Sequence, residues 1–148
     1  MKINILISFL TAILLYSCTP DNPASSANPI NNFSGSYRGT VVDSINGSYH
    51  STISDYTIIL VGTNTQGQYS LTNNLILTNT GKVNGNTFTI PLTTATQNSS
   101  MIVKEWANGT FTGFNNSNWD VTFYQNQIDV STGSVYTRLV RKCTLVKQ

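Results

Sequence analysis

A chain of 148 residues has length for one domain and not two. Charged residues are only 9% of it and the formal net charge is +2, so no broad field exists to gather nucleic acid. Asn, Thr, Ser and Gly take the place of charge, a mix that disfavours helix and suits strands joined by tight turns. Aromatic residues at 10%, with many Ile, Val and Leu, exclude a disordered chain.

In chain order, the first element is an address. Lys2 is followed by a mostly apolar run, Ile3 to Tyr16. That run is shorter than the ~17–25 residues of a membrane-crossing helix and has the length of a secretory signal. It ends in Leu15-Tyr16-Ser17-Cys18. This tetrapeptide resembles the lipobox of bacterial lipoproteins, in which a small residue precedes a cysteine that is acylated and becomes the mature N-terminus. The resemblance implies residues 1–17 as signal peptide and Cys18 as the lipidation site. The other reading is a plain secretory signal with an incidental cysteine. Residues 18–32, with Pro20, Pro23 and Pro29, read as a tether, useful only if something upstream is anchored. Each buried methylene contributes about 0.8 kcal/mol, so two or three acyl chains hold a protein on a bilayer effectively permanently. Thr19 is not the aspartate that retains such lipoproteins in the inner membrane of some bacteria, so an outer-membrane address is expected. With Cys18 acylated, Cys143 has no partner and reads as a buried apolar thiol.

From residue 33 onward, short alternating runs are separated by Gly and Asn. A first strand is expected over Ser36–Ile45, turning at Asn46-Gly47, where both residues of a type I′ turn need positive φ. The return strand covers Ser48–Ser54, and Asp55–Gly62 is apolar on both faces. Tyr69, Leu71 and then Leu75–Leu77 continue past turns at Gly67 and Asn73-Asn74. Asn84-Gly85 marks a hairpin leading into Phe88, Ile90 and Leu92 facing inward, with Pro91 implying an edge, a bulge or a bend. After the apolar Met101–Val103, Asn108-Gly109 reads as a turn before Thr110–Phe114. Trp119, Val121 and Phe123 then alternate against Asp120, Thr122 and Tyr124, and a last strand runs from Val135 to Val146. Eight or nine strands with mostly short links predict an all-β, single antiparallel up-and-down barrel over residues 33–148. The basic cluster Arg138, Arg141, Lys142 and Lys147 reads as protection of a terminal strand.

Gly35-Ser36-Tyr37-Arg38-Gly39 on the first strand and Arg138-Leu139-Val140-Arg141-Lys142 on the last resemble the two ends of a lipocalin-like (calycin) barrel. Small Bacteroides-type lipoproteins carry such domains, and the similarity runs across most of residues 33–148. In that family a tryptophan on the first strand packs under an arginine on the last. Here Tyr37 stands in the tryptophan's place. Alternation puts Arg141 on the apolar face with Leu139 and Cys143, so an Arg141–Tyr37 cation–π contact is expected to close the barrel.

Catalytic chemistry is not expected. The single histidine, His50, is placed by the hairpin count opposite Asp43, with Ser44 and Ser51 beside them. Strand neighbours face opposite ways, so this is not a Ser-His-Asp set. No carboxylate pair converges, no ligand cluster suggests a metal, and nothing points to a cofactor. Asp43-Ser44-Ile45 resembles the Asp-Ser/Thr-apolar acceptor of O-glycosylation in Bacteroides-type bacteria, which would make Ser44 the modified residue. Two functions compete. One is a membrane-anchored barrel holding a small apolar or amphipathic ligand in its mouth, where Tyr56, Phe88, Phe111, Trp119 and Phe123 line a cavity or simply fill the core. The other is a cell-envelope interaction protein that meets glycan or protein through its outer face and loops.

Overall fold

The computed structural model describes residues 33–73 and 75–148. The signal segment, Cys18, the tether through residue 32 and Asn74 of the Asn73-Asn74 turn lie outside the described residues. Eight strands follow in order: β1 (Gly35–Ile45), β2 (Ser48–Gly62), β3 (Gln68–Thr72), β4 (Thr80–Asn84), β5 (Thr87–Asn98), β6 (Met101–Thr112), β7 (Asn118–Asp129) and β8 (Val135–Lys147). A short 3₁₀ turn, Phe114–Asn116, links β6 to β7. Each strand pairs antiparallel with the next. β8 returns to β1, from Tyr37 opposite Lys147 to Ile45 opposite Leu139, and the sheet closes into a barrel. The chain is an all-β, eight-stranded up-and-down barrel. Because β8 is paired on both sides, its basic residues do not guard an edge.

Turn chemistry sets the hairpins. Asn46 and Gly47 both have positive φ (52° and 87°), as a type I′ turn requires. The next Asn-Gly hairpin is shifted by one residue. Asn84 pairs with Thr87, so Gly85 (φ 58°) and Asn86 form its tip. A third Asn-Gly pair is no turn at all, because Asn108 and Gly109 lie inside β6. Gly109 is there because β7 passes close by: a Cβ would come 2.5 Å from the Asp120 carbonyl oxygen. Gly39 serves the same purpose at the closing seam, where a Cβ would overlap the Thr144 carbonyl.

Bulges account for other departures from simple alternation. The two runs expected on either side of Ser54 are one strand, β2, carried past Asp55 with its φ of 59° and a register shift opposite Gly39–Val41. A second shift between Asp43 and Ser44 puts Asp43 opposite Ser51 rather than His50. Between Ile90 and Thr93 the β5–β6 ladder skips, so Pro91 and Leu92 swing outward and Leu92 is 62% exposed, not inward. A one-residue slip moves a side chain to the opposite face. Leu75–Leu77 is not strand either; it is a loop whose Leu75 and Ile76 are buried in the barrel.

Candidate functional site

The barrel has an entry end, where the chain arrives at Phe33, and a far end, at the β1–β2, β5–β6 and β7–β8 turns. Aromatic rings occupy the entry end. Tyr37, Phe88, Phe111 and Trp119 are all buried. Phe111 stacks on Trp119 at 5.1 Å, while Phe88 and Tyr37 meet the Trp119 ring edgewise at 5.0 and 5.3 Å. Phe33 lies across Phe111 at 4.6 Å, and its carbonyl accepts the Tyr37 hydroxyl at 2.8 Å. Burial pushes the Tyr37 hydroxyl up to about 12, with Tyr69 adding to the shift. Of the residues expected inside, Phe88, Phe111, Trp119 and Phe123 are core, and Tyr56 packs against it half-buried.

The expected Arg141–Tyr37 contact does not form. Register places Lys147 opposite Tyr37, and its Nζ sits 5.7 Å from the ring centroid. Arg141 does face inward, but six residues further along β8, opposite Asp43. Face parity was right and height along the strand was wrong. Arg141 Nε lies 3.7 Å from Asp43 Oδ1, too long for a hydrogen bond, and both atoms are buried without a hydrogen-bond partner. Cys143, one step below, is buried, and its thiol is pushed up to about 12 by burial and then by Asp43.

The far half of the barrel is held by a group that composition hides. β3 and β4 are short, and residues 75–79 of the loop between them cover the gap they leave. Asn73 Oδ1 accepts the Leu75 and Ile76 amides at 2.9 and 3.2 Å, turning both side chains inward. Glu105, buried on β6, then clasps the loop. Its carboxylate accepts the Leu77 amide (2.9 Å), the Thr78 amide (3.0 Å) and Gln125 Nε2 (2.7 Å). Every one of these donors points at a buried charge, the arrangement that makes such burial tolerable.

A third feature lies outside the barrel wall. Where Pro91 and Leu92 bulge from β5, they bound an open groove of about 690 Å³, completed by Thr89, Lys104, Trp106, Asn108 and Asn126. Trp106 faces outward on β6, directly opposite Tyr124 of β7. Their rings are parallel within 5°, with centroids 5.0 Å apart. Tyr124 therefore backs the indole on the β7 side, and on the β5 side Trp106 stands opposite the Pro91–Leu92 bulge. Sequence reasoning passed over Trp106 because a supposed turn at Asn108-Gly109 cut its strand short. Strict parity from buried Val103 would have placed it outward.

The remaining sequence candidates do not converge. His50 is exposed, Asp43 faces inward, and Ser44 is half-buried on the outer face between Tyr49 of β2 and Val140 of β8. Among the described residues, no three His, Cys, Asp or Glu side chains come together in a metal-binding group. Compared with known proteins, the chain matches no family model, no curated protein and no solved structure.

Proposed function

We propose that the protein is a lipid-anchored envelope protein whose barrel is a rigid platform for the β5–β6 groove, and that the groove takes a saccharide. The observation that carries this reading is Trp106, stacked on Tyr124, half-exposed and lining the open groove. An aromatic face carries negative quadrupole charge and attracts the C–H-rich face of a pyranose ring. Asn108, Asn126 and Thr89 stand around it with amide and hydroxyl groups suited to sugar hydroxyls, and Lys104 suits an acidic sugar. The volume falls in the ordinary range of ligand sites, roughly 300–1,000 Å³. The address rests on the sequence: the lipobox-like Leu15-Tyr16-Ser17-Cys18 supports a membrane anchor, and Thr19 supports the outer membrane. Surface glycan is the partner such a location supplies, and Ser44 is the candidate acceptor for the protein's own glycosylation.

A second reading, a small amphipathic ligand in the barrel mouth, draws support from the unpartnered Arg141 Nε and Asp43 Oδ1. A ligand with an acceptor beside a donor would satisfy both. The core rings of the entry end confine that reading to the far half.

Tryptophan fluorescence separates the two. Trp106 is half-exposed and Trp119 buried, so a sugar stacking in the groove shifts the solvent-exposed part of the emission. Titration of the full chain carrying Cys18→Ser with neutral and acidic oligosaccharides is expected to give a saturable shift that Trp106→Ala removes. Arg141→Ala leaves it in place. Saturable binding that survives Trp106→Ala, or no saccharide response at all, defeats the groove reading.

A further inference from the structure

Phe114 is the most exposed large apolar side chain among the described residues, at 87%. It is not a loose tip. Gly113 (φ 77°), Asn115 (φ 53°) and Asn116 (φ 56°) surround it with left-handed backbone, a conformation that Gly and Asn adopt most readily. A Cβ on Gly113 would approach Ser117 Oγ at 2.5 Å. Ser117 donates its amide to the Phe114 carbonyl at 3.2 Å, and its own carbonyl accepts the Lys147 amide of β8 at 2.7 Å. The turn is thus tied to the end of the last strand and holds a phenyl ring out into water.

Its position in the barrel says what it is held toward. The turn lies at the entry end, three residues beyond Phe111, on whose ring Phe33 packs. The chain from Cys18 to Phe33 spans at most ~50 Å even when fully extended. If Cys18 carries lipid, the anchor is attached at the entry end and holds that end within this distance of the bilayer. Val146, 47% exposed, pairs with Asn118 just past the turn. The charged groups near this end are Lys147, engaged over Tyr37, Arg38, opposite Val146 and paired with Asp55, Lys82 on β4, and Asp120 two residues into β7. Their signs are mixed, so attraction to anionic lipid does not drive the contact.

We infer that the entry end rests on the lipid surface and that Phe114 enters it, fixing the barrel's orientation so that the far end and the wall groove face away from the bilayer. This inference rests on the lipid-anchor reading above. A single aromatic ring is a weak membrane ligand alone, but it acts at the high local concentration that a covalent anchor supplies.

The test uses the mature acylated protein, reconstituted into phosphatidylethanolamine–phosphatidylglycerol vesicles and separately into phosphatidylcholine vesicles. Phe114→Cys is labelled with an environment-sensitive fluorophore, and Ser48→Cys, exposed in the far-end hairpin, serves as control; Cys143 is buried and does not compete. The expected result is a blue-shifted label at 114 with at least a twofold drop in quenching by aqueous iodide, in both lipid mixtures, and a water-like label at 48. A water-like label at 114 on vesicle-bound protein overturns the inference and leaves the anchor standing. Protection at 114 without vesicles assigns the ring to a second copy of the chain and also overturns it. Flotation of Cys18→Ser with vesicles tests the anchor separately: if it floats as well as the parent, the lipid reading fails.

Discussion

The two halves of the barrel are built on different physics. At the entry end, four buried rings pack on one another and the wall is complete. In the far half, two strands are too short to finish the wall, and a loop is drawn in by one buried carboxylate. The first half is stabilised by apolar area, which is non-directional and tolerant of small errors. The second depends on a few directional bonds, where losing one partner leaves a buried charge exposed to nothing. The halves should therefore fail differently.

The largest effect is expected at the floor of the entry half. Trp119→Ala should cost about 3–5 kcal/mol, as ring truncation in a packed core does. It should lower the denaturation midpoint of the whole barrel. Trp119→Phe should cost much less, since the indole Nε1 has no hydrogen-bond partner to lose. Equal damage from both would mean the ring cluster is not the principal support. In the far half, Glu105→Gln keeps the shape but puts an amide where Leu77, Thr78 and Gln125 need acceptors. A loss of about 2–4 kcal/mol is expected, given roughly 1.5–3 kcal/mol per hydrogen bond to a charged group. Its signature is local: hydrogen exchange at the Leu77 and Thr78 amides should accelerate more than at Val121 or Leu145. Uniform acceleration would remove the distinction between the halves.

Alkaline titration sharpens the comparison with a smaller effect. Tyr37 and Cys143 are each pushed up to about 12 in the folded protein, against about 10 and 8.5 in an unfolded chain. Above the unfolded values the unfolded chain has lost protons that the fold retains. Stability is therefore full below about pH 8.5 and falls as pH rises toward 12. At pH 11 the loss is about 1 kcal/mol for Tyr37 and about 3 kcal/mol for Cys143, read as a drop in urea midpoint, and Tyr37→Phe or Cys143→Ala should each flatten it. Smallest is the Asp43–Arg141 pair. Both groups are largely buried, so desolvation offsets their attraction, and replacing the two together by apolar residues of similar size should leave stability unchanged or raise it by about 1 kcal/mol. A clear loss would mean that the pair is a net support of the far half.

Legibility in the sequence divides along the same line. Trp119, Val121 and Phe123, and Cys143 on the last strand, alternate without interruption, and period-2 reasoning placed them inside, where they are. The errors sit where a bulge inserts a residue: Leu92, the Asp43–His50 pairing, and β2 read as two strands. No residue type announces a bulge, and each one reverses the parity beyond it. Asn-Gly is a turn signal only when positive φ is the reason for the glycine; at Gly109 the reason is close backbone approach, which a single sequence does not display. Glu105 was weighed only as one of several scattered carboxylates; its burial was not legible, because a carboxylate reads as surface and the backbone donors that hold it come from a loop that has no pattern of its own. Trp106 was lost with the misplaced turn.

The seam between β1 and β8 has a mechanical meaning. On the proposed lipid anchoring, a pull enters the domain at the start of β1, whose hydrogen bonds to β2 and β8 run perpendicular to the strand. A pull along the strand axis loads both ladders in shear, so many bonds must give together. A sideways pull would peel them one by one. If a bound partner tugs on the far end while the lipid holds the near one, the barrel is loaded in its strong direction.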